Sequence, residues 1–233
     1  MKEEKKCTEG VQRLKELLVI SSKILDNEGV YDYVGHVSAR VPGADQMLIT
    51  PHLRALSFRE VTPRDILTLD FKGNQMEGGL RHPWEFWIHA CIYKARPDVN
   101  SVVHVHPEAC VAMGIAEQPI LPIYVIGGLF AKGVPLFKAP GLVTTEKLGD
   151  DLAKTLGDCN AALLKWHGAV VVGTSVEQAC VSTVGLERLA RIQLSAMAVA
   201  GAKGIQPLPD SALDPELIHY GAGWKYFVSR LSK

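Results

Sequence analysis

The stretch HPWEFWIHACIYKARPDVNSVVHVHP, residues 82–107, combines three chemically different patterns. Its first half has the composition of a helix, which can begin near Pro83 and must end before Arg96-Pro97. Its second half, SVVHVH, has the valine-rich composition of a buried strand. A glutamate and several histidines lie among these apolar residues, where polar side chains need partners. The stretch therefore predicts a helix packed on a strand, with a polar site between them.

Outward from this stretch, apolar spacing and capping residues predict five further helices. They cover residues 8–27, 107–116, 144–158, 176–201 and 217–231. Turn residues and β-branched composition predict the strands. These are the hairpin HVSARV/QMLITP, a strand in ILTLDFKGNQMEGG that runs into a glycine-rich turn, a strand and loop in LPIYVIGGLF, and two strands in AALLKWHGAVVVGT that turn at His167-Gly168.

The order of these elements determines the fold class that we predict. Strands and helices do not alternate strictly, which favours an α+β fold over a doubly wound sheet. The 233 residues contain no repeat, low-complexity tract or clear linker. We therefore expect a single domain over residues 1–233.

Composition limits the partners and the location of the protein. Lys plus Arg (25) equals Asp plus Glu (25), so no overall field attracts nucleic acid or an anionic membrane. The N-terminus is charged and no apolar run approaches the ~20 residues of a membrane span. The five cysteines form no CxxC pair, which argues against a disulfide framework. We expect a cytoplasmic protein with a small-molecule partner, no nucleic acid and no membrane.

The histidines and the glutamate of the opening stretch suggest a metal site. Residues two apart on a strand share a face, so His104 and His106 project in parallel. Glu85 and His89, four apart on a helix, also share a face. His167 follows a strand and lies at a turn. Imidazole and carboxylate ligands suit zinc and related divalent ions. The spacing leaves open whether His167 or His89 completes the set, and whether the histidines are instead hydrogen-bonded core residues.

Five motifs along the chain resemble those of the class II aldolase/adducin family. They are GHVSAR (35–40), LITP (48–51), WE (84–85), RPDVNSVVHVHP (96–107) and KWHGAVVVG (165–173), in the family's order. The resemblance implies a three-layer α/β/α arrangement, in which helices flank a mostly antiparallel central sheet. It also implies a homotetramer with active sites at subunit interfaces.

The same resemblance assigns roles to particular residues. The metal ligands are His104, His106 and His167, and the catalytic residue is Glu85, whereas His89 is a helix-face neighbour. Tyr124 is near the position of a tyrosine that donates protons in the aldolases, and is a second candidate acid. The implied cofactor is one divalent metal per subunit, with zinc favoured over manganese, iron or cobalt.

The departures from the sugar-phosphate aldolases indicate a different substrate. Gly35-His36 replaces Gly-Asn, Pro83-Trp84 replaces a phosphate-holding Ser-Ser pair, and Thr50-Pro51-His52-Leu53-Arg54 replaces Thr-Pro-Thr-Gly. Histidine and arginine beside tryptophan suit a flat substrate with carboxylates. The pattern is more similar to the family's decarboxylase branch, which acts on hydroxylated aromatic or ring-cleaved dicarboxylates. The predicted substrate-binding residues are His36, Ser38, Thr50, His52, Arg54 and Trp84.

These residues predict a metal-dependent lyase, with decarboxylation as the leading reaction. The aromatic side chains beside Glu85 would desolvate it and raise its pKa, which suits a proton carrier. One alternative is an aldolase that cleaves a hydroxyketone or sugar phosphate. Another is a non-catalytic interaction module like the adducin head, and a third is a metal-dependent dehydratase or oxygenase.

Overall fold

The structure, a computed structural model, describes residues 2–52, 57–213 and 219–231. Within these residues its six α-helices lie where the sequence predicts them, although α1 begins six residues earlier than predicted. They are α1 (Lys2–Asn27), α2 (Phe86–Ala95), α3 (Glu108–Ile115), α4 (Glu146–Leu156), α5 (Val176–Ala200) and α6 (Tyr220–Arg230). Two begin at side-chain caps, because the hydroxyl oxygens of Thr145 and Ser175 accept from the backbone N–H groups of Leu148 and Gln178.

Eight strands form one sheet within the described residues, in the order β4-β3-β2-β1-β5-β8-β7-β6. They are β1 (His36–Arg40), β2 (Gln46–Ile49), β3 (Leu67–Asp70), β4 (Gln75–Glu77), β5 (Ser101–Val105), β6 (Leu136–Phe137), β7 (Ala161–Leu164) and β8 (Gly168–Gly173). Neighbours pair antiparallel except β6 and β7. The predicted β1–β2 and β7–β8 hairpins are confirmed.

The apolar core is divided between the two faces of the sheet. On one face, α1, α3, α5 and α6 pack through residues such as Leu18, Cys180 and Leu189. On the other face, α2 and α4 pack through residues such as Ile88 and Leu152. This is the predicted α+β fold with three α/β/α layers, and it is confirmed. The single domain spanning residues 1–233 stays a prediction.

At the centre of the sheet, the ends of three neighbouring strands bring distant parts of the chain together. Strand β5 lies between β1 and β8 and runs antiparallel to both. Its end, just before His106, therefore lies beside the start of β1 at His36 and the start of β8 at Gly168. His36 is directly opposite His104 in the register. Residues far apart in sequence can thus share one site.

Two strand predictions are wrong in detail. The segment LPIYVIGGLF was expected to begin as a strand, but residues 125–130 form a 3₁₀ helix. A side chain at Gly127 would lie 2.5 Å from the Cα of Pro122, so this turn needs the close backbone approach that glycine permits. Residues 66–79 form two paired strands rather than one, because the chain reverses at Gly73 with φ of 90°. The short strand β6 has no counterpart in the sequence prediction.

Two further observations concern the chain as a whole. Cys91, Cys110, Cys159 and Cys180 are free thiols. Among the described residues, none of the helices has both the length and the apolar character needed to cross a bilayer.

Candidate metal centre and substrate pocket

Three histidines and one glutamate converge at one end of the central strands β1, β5 and β8. His104 is the last residue but one of the buried strand β5, His106 follows that strand, and His167 occupies the turn before β8. Glu85 lies immediately before α2, on the sheet face that carries His104. One ligand atom from each of the four residues lies within 4.8 Å of all the others.

The distances between these atoms fit a shared ion. The Nε2 atoms of His104 and His106 are 3.1 Å apart. Oε2 of Glu85 lies 3.4 Å from His167 Nε2 and 3.7 Å from His104 Nε2. In tetrahedral coordination with bonds of ~2.0–2.1 Å, neighbouring ligand atoms are about 3.3 Å apart. The set therefore has the donor types and the spacing of a divalent-metal site.

A backbone carbonyl orients the imidazole of His104. His104 Nδ1 lies 3.1 Å from the carbonyl oxygen of Ala169, which can only accept, so Nδ1 carries the proton and Nε2 is free to ligate. His106 Nδ1 lies 3.5 Å from Oδ1 of Asp32. At this distance the carboxylate is not a hydrogen-bond partner of His106 Nδ1. Burial lowers the pKa of His104 well below its usual value, and it also lowers the pKa of His106, so both imidazoles stay neutral.

Unpaired nitrogens provide an independent test of the fit. Both ring nitrogens of His167, and Nδ1 of His106, are buried without a hydrogen-bond partner. Such groups are costly in a protein interior unless something else satisfies them. A cation bound between His167, His106 and Glu85 would satisfy His167 Nε2 directly. The residues present therefore fit the metal that the sequence predicted.

Glu85 is the N-cap residue of α2, but its side chain makes no capping hydrogen bond. Its Oε1 accepts a 2.7 Å hydrogen bond from the backbone N–H of Val143, and its Oε2 faces the histidines. Burial alone raises the pKa of Glu85, but its interactions with His167, His36 and the Val143 N–H outweigh burial and lower the pKa. The predicted rise in this pKa is therefore wrong. The carboxylate is buried, as predicted, but among a backbone donor and imidazoles.

The four residues lie beside a cavity of about 830 Å³. Glu85, His106 and His167 line it together with three predicted substrate-binding residues, His36, His52 and Trp84. The rings of His52 and Trp84 are 5.4 Å apart, and the guanidinium of Arg81 lies 5.5 Å from the Trp84 ring. The cavity thus combines an aromatic wall, imidazoles and the candidate metal centre.

Three other predicted site residues are not brought to this cavity. Ser38 and Thr50 are fully buried behind it. The Thr50 hydroxyl bonds to the backbone of Val37, since Thr50 follows β2 beside β1. Tyr124 is 45% exposed and lines a separate surface pocket with Ile192. Arg54 lies outside the described residues.

Several pocket residues were missed by the sequence analysis. Asp32, Tyr33, Glu108, Val111 and Leu142 also line the cavity. Asp32 and Tyr33 lie in YDYVGH, directly before a motif that was recognised, so proximity to that motif was the available signal. Glu108 and Val111 begin α3 directly after His106, which is a similar signal. Leu142 gives no sequence signal, because it reaches the cavity only through the loop before α4.

Comparison with known proteins defines the class. Residues 15–194 match the Class II Aldolase and Adducin N-terminal domain. The chain belongs to the class II aldolase and adducin family.

Its relatives within this family include two kinds of enzyme. The 3,4-dihydroxyphthalate decarboxylase of Arthrobacter keyseri is 32% identical, over 94% of this chain and 94% of the relative. The L-fuculose phosphate aldolase of Escherichia coli K12 is 33% identical, over 71% of this chain and 74% of the relative. An L-fuculose 1-phosphate aldolase structure from Glaciozyma antarctica superposes with a TM-score of 0.82 at 25% identity, covering 97% and 90% of the two chains. Decarboxylases and aldolases are both lyases, which agrees with the predicted enzyme class.

Proposed function

We propose that this chain is a divalent-metal-dependent decarboxylase that acts on a hydroxylated aromatic dicarboxylate of the dihydroxyphthalate type. One observation carries the proposal: Glu85, His104, His106 and His167 converge beside a cavity walled by Trp84. The similarity to a 3,4-dihydroxyphthalate decarboxylase along 94% of the chain supports this substrate class.

The shape and chemistry of the cavity suit a flat substrate. Trp84, Val111 and Leu142 offer apolar contact to a ring, while His36 and His52 offer nitrogen atoms to carboxylates. Pro83, beside Trp84, has no side-chain donor for a phosphate. These features favour an aromatic carboxylate over a sugar phosphate.

We infer that zinc or a related divalent ion is held by His104, His106 and His167. Three imidazoles are a ligand set that zinc accepts in catalytic sites, and manganese, iron and cobalt accept similar sets. When bound, the ion supplies a Lewis acid that polarises a substrate oxygen.

Glu85 is the proton carrier in this proposal. Its lowered pKa keeps the carboxylate ionised near neutral pH, so Oε2 can take the proton of a substrate hydroxyl. Cleavage of the bond between the ring carbon and its carboxylate then releases carbon dioxide and leaves the electron pair on the carbon. The same Oε2 returns the proton to that carbon. The Val143 N–H holds Oε1, which keeps Oε2 directed at the site.

The proposal also includes an oligomeric state. We infer a homotetramer in which Tyr124, exposed in the single chain, is delivered to a neighbouring subunit's cavity as a second acid. The covering of Tyr124 in an assembly, measured by its protection from chemical modification, tests this point.

Product analysis tests the reaction. The zinc-loaded protein is incubated with 3,4-dihydroxyphthalate and other hydroxylated aromatic dicarboxylates, and released carbon dioxide is measured. We expect release from at least one of them, and a loss of roughly 10²–10⁴-fold in Glu85→Gln with the metal retained. Wild-type turnover in Glu85→Gln, with metal bound, would exclude Glu85 as the proton carrier.

The second candidate is aldol cleavage, because the chain is also 33% identical to L-fuculose phosphate aldolase over 71% of its length. Incubation with dihydroxyacetone phosphate and an aldehyde distinguishes the two reactions. Aldol product without carbon dioxide release from any dicarboxylate would replace the decarboxylase proposal. An inactive protein that binds no metal would favour a non-catalytic interaction module instead.

A further inference from the structure

A chain of hydrogen bonds leads from the cavity wall into the protein interior. His36 Nδ1 lies 2.6 Å from His89 Nε2, and His89 Nδ1 lies 2.6 Å from Ser38 Oγ. Ser38 Oγ then lies 2.7 Å from the hydroxyl of Tyr93. His36 is 6% exposed and lines the cavity, whereas the other three side chains are at most 1% exposed. We call these four side chains the relay.

The relay cannot be explained as part of the metal centre. The candidate metal centre comprises Glu85, His104, His106 and His167, and the relay shares none of these residues. His89 lies on α2, one turn after Glu85, and both of its ring nitrogens are already bonded. It is therefore paired within the protein rather than available to a cation.

Counting protons restricts how the relay can be arranged. Two neutral imidazoles and two hydroxyls carry four protons, and three contacts need one proton each. Every contact is satisfied in three arrangements. In the first, Tyr93 donates to Ser38, Ser38 to His89 and His89 to His36, and the remaining proton lies on His36 Nε2. In the second, all three bonds are reversed and the remaining proton lies on Tyr93. In the third, His36 donates to His89, and Ser38 accepts from both His89 and Tyr93, which leaves the buried hydroxyl proton of Ser38 without a partner among these contacts and is therefore disfavoured.

The surroundings of Tyr93 favour the first arrangement. The Tyr93 hydroxyl lies 2.7 Å from Ser38 Oγ, and the Tyr93 ring is enclosed by the Phe71 ring at 5.6 Å and the Arg40 guanidinium at 4.8 Å. A cation and an aromatic ring offer no strong acceptor, so a reversed relay would leave a buried O–H unpaired. Burial raises the pKa of Tyr93, so the hydroxyl keeps its proton. Tyr93 therefore donates to Ser38.

We propose that Tyr93, Ser38 and His89 are positioning residues that hold His36 as its Nε2–H tautomer, so that His36 donates a hydrogen bond to a carboxylate oxygen of the substrate. The identity of this ligand rests on the proposed function, whereas the tautomer does not. His36 then selects for an acceptor at this point of the cavity. A ligand that presents an N–H donor there would be rejected, because two donors would face each other.

The tautomer is measured directly in the zinc-loaded protein by ¹⁵N NMR of histidine-labelled wild type, with His36→Gln used to assign the His36 signals. We expect the proton on Nε2 and none on Nδ1. A proton on Nδ1 overturns the relay, whatever the activity of the protein. Phthalate is then added as the probe. A shift of the His36 Nε2–H resonance supports donation to a carboxylate, and no shift at saturating phthalate overturns that part.

Two matched serine variants separate positioning from general stability. Ser38→Ala removes the donor that makes His89 Nδ1 an acceptor, so we expect a mixture of His36 tautomers and roughly tenfold weaker phthalate binding. Ser101→Ala removes an equally buried hydroxyl from β5, one that donates to the Ser38 carbonyl and lies outside the relay. It should leave the tautomer unchanged. Equal effects of the two variants on tautomer and binding would contradict the proposal.

The outcome for the relay is independent of the outcome for the reaction. If His36 carries its proton on Nε2 but no dicarboxylate releases carbon dioxide, the proposed function fails and the relay stands. If carbon dioxide is released while His36 carries its proton on Nδ1, the relay fails and the proposed function stands.

Discussion

Two groups of histidines lie on the same side of the central sheet and differ in how their nitrogens are used. In the relay, His36 and His89 make bonds of 2.6 Å to protein partners. The second group belongs to the candidate metal centre, Glu85, His104, His106 and His167, which we call the cluster. In the cluster, His167 has neither ring nitrogen hydrogen-bonded, and the Nε2 atoms of His104 and His106 face each other at 3.1 Å.

This difference separates two roles that look identical in composition. A buried imidazole with both nitrogens paired is satisfied by the fold itself. His167 has neither buried nitrogen hydrogen-bonded, and its Nε2 lies 3.4 Å from the Glu85 carboxylate, so a cation bound there would satisfy it. Pairing, rather than burial or the number of histidines, therefore distinguishes a ligand from a positioning residue.

The largest expected effect comes from removing a ligand. His106→Ala should lose bound metal and reduce turnover by roughly 10³-fold or more, because the polarising charge is lost with the metal. Metal content by mass spectrometry and turnover are measured together. His89→Gln is the matched variant from the paired group, and it should retain its metal. Loss of metal in His89→Gln but not in His106→Ala would reverse the assignment of the two groups.

The next largest effect is a loss of stability, expected from the close packing around Gly168. A side chain at Gly168 would lie 2.2 Å from the carbonyl oxygen of Val105 and 2.8 Å from His106 Cδ2. Gly168→Ala should therefore lower the free energy of unfolding by about 3 kcal/mol or more and displace His106. Urea denaturation measures the stability. Gly79→Ala is the control, since nothing lies within 4 Å of its added carbon, and equal stability of both variants would contradict this packing argument.

Metal bound at the cluster should raise the free energy of unfolding of the protein. For metal-stripped wild type, zinc at a hundred times its dissociation constant should raise the free energy of unfolding by about 2.7 kcal/mol. Thermal or denaturant unfolding with and without zinc measures this shift. His106→Ala should show little of it at the same zinc concentration, and calcium, which prefers oxygen ligands, should produce none in wild type. An equal zinc shift in both proteins would place the ion elsewhere.

The contribution of His89 to the stability of the folded protein should depend on pH. Burial lowers the pKa of His89 to about 3, against ~6.5 in an unfolded chain. Between these values the unfolded chain binds a proton that the folded chain does not, so the folded state loses stability as pH falls below 6.5. The contribution of His89 is complete above 6.5, and about 2 kcal/mol of it is lost by pH 5.

Comparing metal-stripped wild type with His89→Gln isolates this contribution. Denaturant unfolding at pH 7 and pH 5 should show a smaller loss of stability in the variant, by about 2 kcal/mol. The same loss in both proteins would mean that His89 is not held neutral by burial.

The sequence by itself determined the elements and much of the candidate site. The alternation in SVVHVH and the turn at His167-Gly168 are local patterns, because side-chain periodicity follows directly from strand geometry. The motifs that carry the family resemblance also lie in sequence, and they named Glu85 and the three histidines. The 3₁₀ helix at residues 125–130 was missed because a glycine pair beside Pro122 is set by a contact that periodicity does not contain.

Only the tertiary structure decided which polar groups pair with which. His36 and Ser38 were both predicted to bind substrate, and both lie on the same face of β1, yet only His36 lines the cavity, whereas Ser38 is bonded to His89 and Tyr93 behind it. The carboxylate of Glu85 was expected to have a raised pKa from its aromatic neighbours, but His167 and the Val143 N–H lower it. Both outcomes depend on residues more than fifty positions away. Sequence specifies the chemical groups, whereas the free energy of each buried group depends on its partners in space.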